Sequence, residues 1–375
     1  MKASVSQQEL AHGLNIVSRA VSPRSALPVL ANILIATDGG RIRLAATNLE
    51  LGISCWITAN IIEEGSITIP ARTISDLVST LPNERIELEL NERSQTLNVS
   101  CGSNSTDIKG IDAAEYPPLP LPEKSSGVEL NVADLKEMIT QVAFAASTDE
   151  ARPVLQGVLT QIEGSTITLA ATDGFRISVR SSQVDNPSDK AISVIIPARA
   201  MNELARIAAN GESTVNMSIP TGRGQVVFNL KDAELVSQLI EGNFPDYKII
   251  IPKTYKTHTV INTPSFQKAC RQAEIIARDG SYIVRLHIQP KMDAPGIVEV
   301  SAQSEETGSS EVQLDASIDG DGLLIAFNVR YLREVLDVIK TPTVLLNTNA
   351  NNTPATIKPS GDEEFTHVIM PMHLG

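Results

Sequence analysis

Aromatic residues are nearly missing from this sequence: Phe, Trp and Tyr together make up 3% of its 375 residues. Its cores must therefore be built from Leu, Ile, Val and Ala. Cysteine is scarce too, and Cys55, Cys101 and Cys270 stand apart and odd in number. That argues against a disulfide framework and for reduced thiols buried as small hydrophobes, as in a cytoplasm. No apolar run is long enough to span a bilayer. Met1 leads into Lys2, Ser4, Gln7, Gln8 and Glu9 without a leader-like apolar stretch. A cytoplasmic chain with no membrane role is the expectation. Catalytic signatures are absent as well: no His-Glu-x-x-His, no Cys-x-x-Cys, no phosphate loop and no nucleophile elbow. Thr221-Gly222-Arg223-Gly224 reads as a hairpin turn, and Asp319-Gly320-Asp321-Gly322 lacks the ligand spacing of a calcium loop. The five histidines share no local pattern. Neither a metal nor a cofactor is expected.

What is there begins with charge. The net charge is −13 and the isoelectric point is near 4.9, with 42% hydrophobic and 20% charged residues. The composition is that of an ordinary globular protein, and the length suits two or three domains. Taken alone, the acidity argues against binding nucleic acid by phosphate neutralisation.

The chain repeats itself. Residues 5–21 carry Leu10, Leu14, Val17 and Val21 at helical spacing behind a Ser6/Glu9 capping box. Alternating strands follow, two of them joined by Asp38-Gly39-Gly40, a hairpin signal. Ile69-Pro70-Ala71-Arg72 opens a second helix with Ile74, Leu77, Val78 and Leu81 on one face. The same order returns after the Pro-rich stretch 116–122 and the polar stretch 123–127. Arg152-Pro153-Val154-Leu155 echoes Leu27-Pro28-Val29-Leu30, and Ile196-Pro197-Ala198-Arg199 echoes Ile69-Pro70-Ala71-Arg72. Ala170-Ala171-Thr172-Asp173 echoes Ala45-Ala46-Thr47-Asn48. A fainter third copy runs from about Lys256, where Gln303 to Gly308 replace the Asp-Gly turn. Domains over 1–122, 127–252 and 256–375 are expected, in an α+β fold with two helices on antiparallel sheets in each.

Three features carry candidate function. Asp173 and Arg176 flank the Asp-Gly turn; an acid with an anion clamp is one reading. The favoured one has Asp173 serving the turn and Arg176 facing a partner or a neighbouring carboxylate. The end of the chain, Val368 to Leu374, stays apolar where chain ends are usually polar. Val368 to Met370 read as a last strand, and Pro371, which cannot donate to a ladder, turns Met372 and Leu374 out of the sheet. Such methionines suit either a core or an adaptable peptide groove. Arg24, Arg72, Arg152, Arg199 and Arg330 recur at helix–strand junctions, which favours a common face. The helices carry roughly balanced charge in an acidic chain, so their face is the more positive one.

With these repeats, Ala171-Thr172-Asp173-Gly174, Gly242-Asn243-Phe244-Pro245-Asp246-Tyr247 and Val368-Ile369-Met370-Pro371-Met372 strongly resemble the bacterial DNA polymerase sliding clamp family, the beta subunits of polymerase III, over essentially the full length. The resemblance implies three tandem clamp-type domains, and a head-to-tail homodimer whose six domains close a pseudo-six-fold ring around duplex DNA. Helices would line the hole and sheets the outside. It implies a non-catalytic processivity factor without cofactors. Short linear peptides of the polymerase catalytic subunit, clamp loader and repair proteins would enter a hydrophobic groove. Carried over by position, that groove takes Arg152 and Leu155, then Thr172, Gly174, Phe175, Arg176 and Ile177, then Pro245 and Ile250. Asn328, Tyr331 and the tail residues Val368, Ile369, Met370, Pro371, Met372 and Leu374 complete it. DNA contacts fall on Arg24, Arg72 and Arg199. The subunit contact falls near Ile108 on one side and on Ile275, Ile276, Glu305 and Glu306 on the other. Position 175, often His in that family, is Phe here; His373 stands where Arg is common, and Gly375 is extra. Ser103 to Thr106 lack the basic residues expected opposite Glu305 and Glu306. A peptide-binding hub with no DNA role, or an enzyme with a buried titratable cluster, are the competing readings.

Overall fold

Each repeat opens with a short strand that runs directly into a helix, an arrangement the helical spacing alone conceals. The pairs are Lys2–Ser6 with Gln7–Val17, Val128–Asn131 with Val132–Val142, and Thr257–Asn262 with Thr263–Ala277. Caps fix the junctions: Ser6 Oγ accepts from Glu9 N at 3.2 Å, and Asn262 Oδ1 accepts from Ser265 N at 3.1 Å. The helical reading of residues 5–21 is therefore too long at both ends. Val5 pairs with Ile86 in a sheet. After Val17 the backbone tightens into the 3-10 turn Ser18–Ala20, where the Ser18 hydroxyl donates to the Leu14 carbonyl at 2.6 Å. Second helices follow at Ala71–Thr80, Ala198–Ile207 and Val329–Val338, with Arg72, Arg199 and Arg330 as their second residues. The six helices hold eight basic and eight acidic side chains, so the chain's net −13 lies entirely outside them.

The structure is a computed structural model that describes residues 1–22, 25–118, 127–208, 213–279 and 281–373, leaving out the side chains of 186–190. Arg24, Leu374, Gly375 and most of the 116–127 stretch lie outside the described residues. The chain divides into two compact units, Met1–Val132 with Glu203–Leu239, and Ala133–Asn202 with Ile240–Gly375.

The first unit holds two antiparallel sheets. One runs Asn60–Glu63, Lys2–Ser6, Arg85–Asn91, Thr96–Cys101, Asn104–Lys109. The other runs Val128–Asn131, Thr214–Ser218, Gln225–Asn229, Ala233–Gln238, Leu51–Thr58, Arg41–Thr47, Asn32–Asp38, Ser66–Pro70. Asp38-Gly39-Gly40 makes the expected hairpin, with φ of +55° and +77° at the two glycines, the conformation of a primed two-residue turn. Thr221 to Gly224 likewise joins two paired strands.

The second unit holds one ten-stranded sheet. It runs Gly157–Thr172, Arg176–Pro197, Phe365–Ile369, Ala355–Pro359, Thr343–Thr348, Thr257–Asn262, Gly308–Gly320, Gly296–Ser304, Ile283–Gln289, Leu323–Asn328. Phe266, Phe327 and Phe365 are fully buried here, so three of the chain's seven phenylalanines go to one core. In both units strands of neighbouring repeats pair. Leu235 lies opposite Ile53, and Val368 opposite Ile177. The tail departs from expectation in one respect. Met372 does not leave the sheet: past Pro371 its N–H donates to the Ala326 carbonyl at 2.8 Å, forming a single bridge to the outer strand Leu323–Asn328. Proline interrupts a ladder only at its own missing donor, and the next residue finds an unpaired edge carbonyl.

Candidate functional site

The Asp-Gly turn is built by two short side chains. Thr172 Oγ1 accepts from Gly174 N at 3.0 Å and donates to Arg176 O at 2.7 Å. Asp173 Oδ1 accepts from Phe175 N at 2.9 Å and from Arg176 N at 3.1 Å. Gly174 sits at φ +95°, a conformation costly for most side chains. The first repeat makes the same turn with other residues. Thr47 Oγ1 accepts from Leu49 N and donates to Leu51 O, both at 3.0 Å. Asn48 Oδ1 takes Glu50 N at 3.0 Å and Leu51 N at 2.7 Å. Since neutral Asn48 does this job, the negative charge of Asp173 is not needed for the turn.

That charge answers Arg176. Arg176 is 6% exposed, and its Nε donates to Asp173 Oδ2 at 3.1 Å. Nη1 pairs with Glu334, and Nη2 donates to the Phe144 carbonyl at 2.8 Å. Its Cζ lies 4.4 Å from the Tyr331 ring centroid and 5.2 Å from that of Phe144. Burial, and then the Asp173 charge, raises the Tyr331 phenol above its ordinary pKa. Arg152 braces the turn from outside, donating from Nη1 to the Asp173 carbonyl at 3.0 Å and from Nε to Asp149 at 2.9 Å. Beneath lies His367, fully buried, its Nδ1 2.7 Å from Ser178 Oγ and its ring stacked on Phe144 at 5.6 Å. Its Nε2 has no hydrogen-bond partner among the described residues. Burial and the nearby Arg176 charge push its pKa down to about 3, so it is neutral. Asp173 and Arg176 are thus a structural pair.

Beside this polar knot is an apolar surface. Leu159, Ile177, Tyr247 and Val368 form a buried cluster with Val154, Phe244 and Ile251 packed on it. Phe175 is 58% exposed and Ile249 80% exposed, and Ile250 and Met370 are exposed as well. Met370 N donates to the Phe175 carbonyl at 2.9 Å, which ties the tail to the turn. Leu155, Pro371 and Met372 are half-buried, Pro245 is exposed, and Ile369 is buried in the sheet. Asn328 caps the Val329–Val338 helix, accepting from Arg330 N. Sequence reasoning missed Glu334, Phe144, His367 and Ile249. Only the Ile249-Ile250-Ile251 run left a sequence signal.

The remaining candidates stand apart. Arg72 is exposed and meets Asp76 at 3.5 Å; Arg199 is exposed. Ile108 faces the core of its own sheet, while Asn104 to Asp107 on the same edge strand are exposed. Ile275 is exposed, Ile276 packs on the second unit's core, and Glu305 and Glu306 are exposed in a turn capped by Ser304.

Comparison with known proteins accounts for the whole chain. Profiles of the DNA polymerase III beta subunit match it as the N-terminal domain over residues 1–120, the central domain over 129–246 and the C-terminal domain over 248–373. The beta sliding clamp of Synechococcus elongatus is 33% identical over 379 aligned positions, covering 100% of both chains. The DNA polymerase sliding clamp of Bacillus subtilis superposes with a TM-score of 0.93 at 29% identity, covering both chains fully. A Pseudomonas aeruginosa sliding clamp bound to griselimycin superposes at 0.91 with 27% identity and the same coverage.

Two outcomes are expected at this site. Arg176→Leu leaves the Asp173 carboxylate buried and unpaired, a loss of ~3 kcal/mol in urea unfolding. Asp173→Asn with Arg176→Leu installs the first repeat's Asn48/Leu51 pair and recovers most of that stability. A double variant no more stable than the single one sinks the equivalence of the two turns. The second concerns pH. The native pKa of His367 lies below its ordinary 6.5, so its contribution is complete above pH 6.5 and is lost as pH falls toward 3. Between pH 7 and 5 the wild type should lose about 2 kcal/mol more than His367→Gln. Parallel pH profiles for the two proteins would contradict the buried neutral imidazole.

Proposed function

We infer the function of this chain from one premise: it belongs to the DNA polymerase III beta subunit, or beta sliding clamp, family. It is a DNA sliding clamp, a non-catalytic processivity subunit in DNA replication that binds DNA and polymerase partners. Within that role, the domains run over 1–122, 127–252 and 256–375, and two copies join head to tail into a ring of six domains around duplex DNA. Electrostatics supports the ring reading. Eight basic and eight acidic side chains leave the helices neutral while the rest carries −13, so a helix-lined hole would repel DNA less than the chain's average surface. A ring that holds DNA by enclosure needs few phosphate contacts, and strong ones would resist sliding. Arg24, Arg72 and Arg199 are the contacts assigned to the duplex. The edge strand Asn104–Lys109, anchored by Ile108, meets Ile275, Ile276, Glu305 and Glu306 of the second copy. No helix among the described residues is long and apolar enough to cross a membrane, and the cytoplasm, where the DNA is, is its assigned compartment.

Short linear peptides of the polymerase catalytic subunit, clamp loader and repair proteins dock on the apolar surface of the second unit. The observation that carries this is the tether from Met370 N to the Phe175 carbonyl, which sets two exposed apolar side chains beside the Ile177–Tyr247–Val368 cluster. Buried Arg176 and Thr172 shape the turn from below; Phe175, Ile250, Pro371 and Met372 meet the peptide.

Enclosure is tested by loading the protein on nicked circular DNA and linearising the circle: retention before and escape after are expected, and equal retention on both rules the ring out. Docking is tested by ending the chain after Met370. That removes Met372 and its bridge to Ala326 while keeping the Phe365–Ile369 strand, and clamp-interacting peptides should lose at least ~10-fold in affinity. Unchanged affinity refutes the site.

A further inference from the structure

The docking turn has a twin in the first unit, and the turn is only part of what is duplicated there. Gln238 N donates to the Glu50 carbonyl at 2.8 Å, as Met370 N donates to that of Phe175 at 2.9 Å. Ala233–Gln238 pairs with Leu51–Thr58 as Phe365–Ile369 pairs with Arg176–Pro197. Glu203, sixth in its helix, meets Arg19 at 3.4 Å; Glu334, sixth in its own, meets Arg176. An apolar cluster again lies beneath: Val29, Leu30 and Tyr116, with Leu34 and Ile111 packed on it. Val29, Leu30 and Leu34 stand where the second repeat has Val154, Leu155 and Leu159.

Two apolar side chains next to this cluster face solvent, Leu27 at 49% and Leu49 at 53% exposure. Leu49 does so from φ +77°, where a leucine costs roughly 1 kcal/mol and Gly or Asn would rest easily. A leucine both strained and exposed is no asset to the fold; its side chain is worth that cost only if something covers it. The surroundings state the chemistry of the cover. Stretches 25–34, 47–51, 111–116 and 236–239 contain Glu50, Asp112 and Glu115, all exposed, and no lysine or arginine. The corresponding stretches of the second unit, 150–159 and 172–176, are mixed in sign, with Arg152 and Arg176 beside Glu150 and Asp173. The two surfaces share a scaffold and differ in charge.

We propose that the Leu27–Leu49 surface is a second docking site, for a short segment whose apolar side chains are flanked by lysine or arginine. Carboxylates around an apolar patch attract such a segment and repel an acidic one. The site is separate from the Phe175–Met370 surface, so one clamp chain offers two positions that differ in charge.

The probe is a fluorescent synthetic peptide of two leucines flanked on each side by two lysines, titrated into full-length protein. Saturable binding is expected, retained when the chain ends after Met370 and weakened ~10-fold or more by Leu49→Asp. Asp suits the positive φ at position 49, so that variant keeps its fold; retention on circular DNA verifies it. Glu50→Lys should lower affinity for this peptide and raise it for the same peptide with glutamates in place of lysines. Absence of saturable binding, indifference to Leu49→Asp, or loss on truncation after Met370 each overturns the proposal, the last by placing the probe in the other site.

Discussion

The structure depends on strands being paired across the boundaries between repeats. A repeat that ended its sheet at its own limit would leave a row of unpaired N–H and C=O groups, an open template for aggregation. Here Leu51–Thr58 is covered by Ala233–Gln238, and Arg176–Pro197 by Phe365–Ile369. Each of these seams begins at a Thr-Asx turn, and the incoming strand ends against that turn through one backbone hydrogen bond, Gln238 to Glu50 or Met370 to Phe175. A turn at a seam leaves its tip side chains outside the ladder, next to the end of another repeat's strand. Apolar exposure at Phe175, Met370 and Leu49 follows from that placement. The exposed apolar surface at the turn is a by-product of closing an edge.

Local chemistry made much of this legible. Ser6, Asn262 and Asn328 cap helices as their residue types demand, Gly39 and Gly40 turn a hairpin, and the spaced Pro-Ala-Arg segments start the second helices. The assignment of Asp173 to the turn and Arg176 to a neighbouring carboxylate follows from the same chemistry, and both contacts are present. What stayed hidden is long-range. Glu334 lies 158 residues from Arg176, Phe144 lies 32 away, and His367 lies 189 from Ser178. No spacing in the chain announces such neighbours. The opening strands of the repeats were hidden for another reason: Lys2–Ser6 is too short for its alternation to compete with the helical pattern that follows. Pro371 misled in the opposite direction, because a missing donor at one residue says nothing about the next.

Low aromatic content and high acidity fit one design. Four of the seven phenylalanines are fully buried, and the single tryptophan, Trp56, is spent on its indole N–H to Asp38 and on contacts with Arg41 and Arg43. A protein that reads no bases needs no stacking platform. Neutral helices in a chain of net charge −13 produce a difference in potential without a strongly basic surface. That suits a sliding clamp if, as proposed, its grip comes from enclosure.

The two seams also show how a shared scaffold acquires separate tasks. Where the first has Asn48 and Leu51, the second has Asp173 and Arg176. A buried ion pair adds little net stability over an apolar pair of similar volume, because desolvation offsets the Coulombic gain. The exchange is therefore poorly explained as stabilisation. Its geometric effect is larger: Arg176 reaches Glu334 and Tyr331 on the Val329–Val338 helix and the Phe144 carbonyl, binding the turn to two further elements. Leu51 has only apolar contact to offer its seam. The second turn is thus held in place beside its apolar surface by contacts to two other elements. At the first seam the corresponding acid, Glu203, pairs instead with Arg19 outside the turn, and Leu49 and Glu50 are exposed. One scaffold, carrying a buried ion pair in one copy and an apolar residue in the other, is how a repeat yields two chemically different surfaces.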